Sequence, residues 1–182
     1  RGTRIHASME EWLTGQQHDH PADIDQWVAP LKRRVSRGLA TLGVEVPVVG
    51  HIEGAGGYCG SADGLMLAPD KSVVITDYKS RREGKSAPSR KYIGKFACQL
   101  SAYAAGIEQQ YGSQLPGPVS RLSILYAVPG EPDAVVQSID GDELKQWRIR
   151  WAEMVAEFYA VNGEAIREEQ RKYDLDQQER PF

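Results

Sequence analysis

The sequence predicts an α/β fold in which a mixed central β-sheet of about five strands is flanked by helices. Two observations support this prediction. Short β-branched runs bounded by turn residues occur at five places, and segments of helical periodicity lie before, between and after them. The 182 residues contain no internal repeat and no linker. We therefore expect one domain over residues 1–182, with N-terminal helices in 1–43, the core sheet and its helix in 44–140, and a C-terminal helix and tail in 141–182.

Each element is predicted from its local pattern. Ile5, Met9 and Trp12 form a helical stripe behind a capping Thr3. Pro47 indicates that the first strand lies at a sheet edge or carries a bulge. Helices are predicted over 3–13, 23–43 (bent or restarted at Pro30), 91–111 and 142–161, and strands over 44–49, 61–67, 72–79, 121–128 and 134–139. Between them, the sequence predicts a polar loop over 14–22, a glycine-rich turn at HIEGAGGYCG and a mobile basic loop over 80–89.

The charge of the chain is unevenly distributed. The net charge of −3 argues against a general nucleic-acid coat protein. Seven cations nevertheless lie between residues 79 and 95, opposed only by Glu83. Besides Lys79, they are Arg81, Arg82, Lys85, Arg90, Lys91 and Lys95. This patch predicts that the segment 79–95 contacts a polyanion. The alternative is a loop whose charged side chains are only solvated.

Cysteine usage and hydropathy restrict the class of protein. The two cysteines, Cys59 and Cys98, form no disulfide framework and cannot alone hold a four-cysteine zinc or iron–sulfur site. No apolar run is long enough to span a bilayer, and no signal-peptide pattern is present. We expect an intracellular, cytoplasmic protein that has no membrane partner (in the host cytoplasm if it is encoded by a phage).

The end of the third predicted strand, VVITDYKS, carries the chemistry. Asp77 and Lys79 project from one face of this strand and Tyr78 from the other, because side chains alternate along a strand. Asp63 lies fourteen residues upstream, across a hairpin that sets the two acids side by side. A divalent cation such as Mg²⁺ removes the repulsion between such carboxylates, and a neighbouring lysine can stabilise an oxyanion. The alternative is a salt bridge from Lys79 to either acid at the sheet edge.

Four motifs in order resemble the PD-(D/E)XK nuclease superfamily, in particular its RecB-like, Cas4-like and MGME1-like exonuclease branch. They are the opening helix GTRIHASMEEWL, the turn GSADG, the strand end ITDYKS, and the helix in which Gln99 precedes Tyr103 by one turn. The resemblance implies a restriction-endonuclease-like core and a DNA exonuclease that depends on Mg²⁺ or Mn²⁺. It implies no iron–sulfur cluster, because this sequence lacks the four cluster cysteines that some members of the branch carry.

The resemblance also implies a role for each matching residue. Asp63, Asp77, the Tyr78 carbonyl and His6 would bind the metal, and Lys79 would orient water and stabilise charge at phosphorus. Gln99 and Tyr103 would reach the substrate, and Glu45 stands where the family often places a further acid. As alternatives, His6 could pair with Glu10, the Gln99 and Tyr103 side chains could hydrogen-bond only Lys79 or buried backbone, and Glu45 could be solvated. The partner would be DNA, as a single strand or a free end, held by the basic residues of 81–95.

Two glycine motifs point to nucleotide binding, but neither has the spacing or context that such a site requires. The GKS at 84–86 lacks the earlier glycine of a P-loop, where Lys79 stands, and GAGG at 54–57 does not open a helix as a dinucleotide-binding turn must. A structure-dependent or restriction-type endonuclease with the same core remains open. A DNA-binding module that has lost its catalytic activity also remains open. Such a loss should first alter Asp63, Asp77 and Lys79, and all three are present.

Overall fold

The computed structural model describes residues 2–16 and 20–179 and has the α/β architecture that the sequence predicts. One five-stranded sheet in the order β1-β2-β3-β4-β5 packs against helices on both faces. The helices are α1 (Gly2–Leu13), α2 (Asp25–Ser36), α3 (Gly94–Tyr111) and α4 (Gly141–Glu179), and the strands are β1 (Ala40–Ile52), β2 (Gly56–Leu67), β3 (Val73–Ser80), β4 (Val119–Ala127) and β5 (Val135–Asp140). Among these helices, none combines the length and apolar character that crossing a bilayer requires.

The sheet is mixed because one of its four pairings is parallel. Strand β3 pairs with β4 in parallel through the α3 crossover, and the other neighbours are antiparallel. The antiparallel pairing of β2 with β3 ends at Gly64 opposite Thr76. Asp63 and Asp77 are the next residues on the two strands. The candidate acids therefore lie where this hairpin ladder ends.

Alternation along β3 divides the core between the two faces of the sheet. Val73 and Ile75 pack in the cluster formed with α3, whereas Tyr78 packs in the cluster formed with α1 and α2. Both sets are fully buried, so the register of β3 is fixed by the hydrophobic pattern. A slip by one residue would bury Lys79 and expose the Tyr78 ring.

The predicted end of the second helix is wrong. Helix α2 ends at Ser36, and residues 40–43, which we expected to be helical, belong to β1. Gly38 ends the helix by adopting φ 135°, a value open to glycine, and a β-carbon there would lie 3.0 Å from Pro69. Pro30 lies inside α2 and does not interrupt it.

The glycine-rich segment is mostly strand, not turn. β1 and β2 extend through it as a long hairpin, pairing as far as Ile52 with Gly56, at the edge of the sheet that Pro47 indicated. Its glycines leave room for aromatic rings. A β-carbon at Gly50, Gly56 or Gly60 would overlap Tyr58, Tyr159 or Tyr103, respectively.

The remaining boundaries differ less. Residues 81–89 are irregular, as expected, and a 3₁₀ turn at Arg90–Tyr92 delays the start of α3 to Gly94. Helix α4 runs to Glu179, well beyond the predicted end at residue 161. The predicted polar loop at 14–22 lies partly outside the described residues, and its last residue begins the 3₁₀ turn Ala22–Ile24.

A polar cluster joins α3, α4 and β4, and it should make a measurable contribution to stability. Arg148 donates to both Glu108 carboxylate oxygens at 2.8 and 3.0 Å, and Glu108 also accepts from the Val119 N–H at 2.7 Å. We expect Glu108→Ala to lower the free energy of unfolding by about 2–4 kcal/mol, because the half-buried Arg148 guanidinium loses its carboxylate, keeping its bond to the Val119 carbonyl, and the Val119 N–H loses its acceptor. Urea denaturation measures this change. Glu153→Ala, which removes an exposed partner of Arg150, should leave the midpoint unchanged.

Candidate active site

The Asp77 and Lys79 side chains are in direct contact. The Lys79 Nζ donates to Asp77 Oδ1 at 2.8 Å and lies equally close to Oδ2. Asp77 is only 3% exposed, and among the described residues its Oδ2 has the ion-pair contact with Lys79 but no well-aligned hydrogen bond. A buried carboxylate that relies on one cationic partner is costly, so it retains the capacity to bind a further cation.

Asp63 links β2 to β3 and to α1. Its Oδ2 accepts the Tyr78 N–H at 2.8 Å and lies 3.4 Å from His6 Nδ1. The other ring nitrogen, His6 Nε2, lies 2.8 Å from the Tyr78 carbonyl oxygen. His6 and Asp63 therefore both contact the Tyr78 backbone, and the resemblance assigns all three residues to a metal. The structure shows no hydrogen bond or ion pair between His6 and Glu10, the alternative partner.

Glu45 completes a three-residue group. One ligand atom each from His6, Glu45 and Asp63 lies within 4.8 Å of the other two. Glu45 reaches this position from the edge strand with a backbone φ of 45°, in the left-handed region that residues other than glycine rarely adopt. Strain of this kind persists where the surroundings enforce it, often at functional sites. Ser61 Oγ donates to the Glu45 carboxylate at 3.1 Å, so Glu45 is held and not merely solvated.

The electrostatics follow from burial and proximity. Burial raises the pKa of Asp77 to about 6, with Asp63 adding to the rise and Lys79 opposing it. The hydrogen bond with Asp63 raises the pKa of His6 above its ordinary value, against the effect of burial. Two acids, an imidazole and an ammonium thus share one small region in which the carboxylate form of Asp77 is destabilised.

Gln99 and Tyr103 lie together on α3, facing β2. Gln99 Nε2 donates to the Tyr103 hydroxyl at 2.7 Å, and the Tyr103 ring packs over Gly60. Sequence reasoning missed Phe96, one turn earlier on the same helix. The Lys79 Nζ lies 5.1 Å from the centre of its ring and the Lys95 Nζ 4.8 Å from it. The i, i+3 spacing of Phe96 and Gln99 was the available signal.

The predicted basic residues divide into two groups. Arg90 donates to the Ser138 carbonyl and to Glu143, and Arg81 Nε donates to the Ser86 carbonyl at 2.9 Å, so both take part in internal contacts. The remaining four residues of the predicted patch are exposed to solvent. They are Arg82, Lys85, Lys91 and Lys95.

The chain was compared with known proteins once this geometry was established. A family model described as the PD-(D/E)XK nuclease superfamily matches residues 31–178. The chain belongs to the PD-(D/E)XK nuclease superfamily. The match includes every predicted site residue except His6. Nucleases of this superfamily generally use divalent metal ions.

A solved structure resembles this PD-(D/E)XK chain in fold. A protein from Eubacterium rectale described as "Putative exonuclease" aligns with a TM-score of 0.51 at 12% identity, over 84% of this chain and 64% of its own. This chain thus spans less than two thirds of that relative. A structure named SSO0001 aligns with a TM-score of 0.40 at 16% identity, over 85% of this chain and 69% of its own. No curated protein sequence matches the chain.

Proposed function

We propose that the protein is a metal-dependent DNA exonuclease of the RecB-like branch, acting in recombination, repair or replication. The observation that carries the proposal is the contact of Asp77 with Lys79 beside the group formed by His6, Glu45 and Asp63. The constellation assembles acids, an imidazole and a cation at the end of one β-hairpin. The fold likeness to a protein described as an exonuclease supports the same proposal.

The residues present fit a divalent cation. His6, Glu45 and Asp63 offer two carboxylates and an imidazole within 4.8 Å of one another; hard oxygens suit Mg²⁺, and an imidazole is also a good ligand for Mn²⁺. The Asp77 carboxylate, whose Oδ2 has no well-aligned hydrogen bond, and the Tyr78 carbonyl are the further oxygens that the resemblance assigns to the metal. When bound, such a cation supplies Lewis-acid stabilisation of phosphoryl oxygens and makes water a better nucleophile.

Lys79 has the capacity for two tasks at once. Its ammonium has three N–H donors, and the contact with Asp77 requires one of them. The others can orient the attacking water and stabilise the negative charge that develops at phosphorus during in-line attack, which leaves a 5′-phosphate. The exposed Arg82, Lys85 and Lys91 would hold one DNA strand by phosphate contacts that carry little sequence information. Affinity should then fall steeply with salt.

A cleavage assay on DNA of defined topology tests the proposal. We expect linear DNA to be lost in Mg²⁺ or Mn²⁺, circular DNA to persist, and EDTA to stop the reaction. The assay uses end-labelled and circular substrates, single- and double-stranded. Nicked or linearised circles would show instead an endonuclease, and binding without cleavage in every metal would show a DNA-binding module.

A further inference from the structure

An aromatic cleft lies between α3, α4 and β2, outside the group of acids. Its volume is about 430 Å³, within the range of small-molecule sites. Four aromatic rings line it, from Tyr58, Tyr103, Trp147 and Trp151, together with the sulfur atoms of Cys59, Cys98 and Met154. Lys95 brings positive charge to this largely apolar surface, whereas the Arg150 guanidinium, which also lines it, pairs with Glu153 and Glu157. We call it the α3–α4 cleft.

The cleft borders the candidate active site. Gln99 and Tyr103, which the resemblance assigns to the substrate, also line it. The ammonium groups of Lys95, in the cleft, and of Lys79, in the active site, both lie near the Phe96 ring. This single ring therefore separates the cleft from the Lys79 ammonium. A strand whose phosphate lies at Lys79 would therefore pass the mouth of the cleft.

The rings are held in place without a ligand. Tyr58 and Trp151 meet edge to face at 5.1 Å, and the Tyr58 hydroxyl donates to the Ala102 carbonyl at 3.1 Å. Trp147 packs over Gly94, where a β-carbon would lie 3.1 Å from its ring. Rings that are fixed in advance lose little conformational entropy when they bind a flat ligand.

We propose that the α3–α4 cleft receives an unpaired base of the DNA strand whose phosphodiester lies at Lys79. The inference rests on the proposed function for the position of that strand. Aromatic walls stack on any base, and the cations beside them can contact the adjoining phosphates. Because stacking requires an exposed base face, the cleft selects single-stranded DNA, or the frayed end of a duplex, over an internal paired segment.

A comparison of normal and abasic oligonucleotides tests the cleft. Single-stranded oligothymidylate and the same backbone with every base removed carry equal charge. In the Lys79→Ala protein with Mg²⁺, we expect the normal oligonucleotide to bind about tenfold more tightly at fixed salt, the size of one base stacked on an aromatic side chain. Fluorescence anisotropy of labelled oligonucleotides measures both affinities without any need for cleavage.

Two glutamate variants on α4 provide the matched controls. Met154 lines the cleft and is 41% exposed, whereas Ile149 is 61% exposed and does not line it. We expect Met154→Glu to abolish the difference between the two oligonucleotides and Ile149→Glu to retain it. Equal affinities in the parent protein, or an unchanged difference in Met154→Glu, would overturn the cleft proposal even if the wild type cleaves DNA. Conversely, a tenfold difference in a protein that never cleaves would support the cleft and reject the hydrolysis.

Discussion

Lys79→Ala should lower the rate of DNA cleavage by roughly 100- to 1,000-fold while single-stranded DNA remains bound. The loss follows from the position of the ammonium, 2.8 Å from Asp77 and at the edge of the group formed by His6, Glu45 and Asp63. Removing one charged donor aimed at a transition state commonly has an effect of this size. The fold should survive, because the Lys79 side chain is 27% exposed and the Asp77 carboxylate that it leaves behind can be neutralised by a proton or by the added Mg²⁺.

Single-turnover cleavage of an end-labelled strand at saturating Mg²⁺ measures the rate, and filter binding measures the affinity. Lys145→Ala is the matched control, since its ammonium is exposed and pairs only with Asp142 on the surface. Its rate should equal that of the wild type. A Lys79→Ala rate within about tenfold of the wild type would be too small a loss for an oriented transition-state donor.

The sequence was a good guide to the strand end because a strand has a simple side-chain period. Alternation along VVITDYKS predicted that Asp77 and Lys79 project together, and the structure places their charged atoms in contact. The number of strands and the fold class were confirmed for the same reason. Each strand is bounded by turn residues and carries apolar residues that fill one of the two cores.

What the sequence could not show depends on contacts between distant segments. The glycine-rich segment 51–60 suggested a turn, but Gly56 and Gly60 lie in a strand under tyrosine rings from α4 and α3. The alternative for Glu45 was a solvated side chain, since a lone acid on an edge strand is usually solvated. Its approach to His6 depends on the left-handed backbone conformation of Glu45 itself, which the conformational preference of glutamate does not predict. The α3–α4 cleft likewise depends on the packing of two helices that are distant in the sequence.

Asp77→Asn should abolish cleavage and, in the absence of metal, make the protein more stable. Asp77 is 3% exposed, and the Lys79 ammonium at 2.8 Å only partly offsets the cost of burying its charge. Burial raises its pKa from 3.8 to about 6, so the folded state binds the proton more tightly than the unfolded state. Ionisation of the buried carboxylate therefore costs stability as the pH rises from about 4 to 6, and the full cost is present above pH 6. Asparagine keeps the shape without that cost.

We expect Asp77→Asn to gain about 1–3 kcal/mol in free energy of unfolding at pH 8 in EDTA. The gain should shrink as the pH falls towards 4, where the wild-type carboxylate is protonated in both states. Urea denaturation across this pH range measures it. Asp140→Asn is the control, because that carboxylate is 62% exposed and lies 3.8 Å from Arg121. Its substitution should leave the stability nearly unchanged.

The sign of this change separates the two interpretations of the Asp77–Lys79 contact. If the pair were only a structural salt bridge, Asp77→Asn would remove a favourable partner of Lys79 and destabilise the protein at pH 8. If Asp77 is held ready for a cation, the metal-free wild type bears an uncompensated cost that asparagine relieves. Mg²⁺ should then stabilise the wild type and not Asp77→Asn, because binding to the folded state alone shifts the unfolding equilibrium. Stability lost on substitution, together with no response of the wild type to Mg²⁺, would assign Asp77 to the fold and remove it from the chemistry.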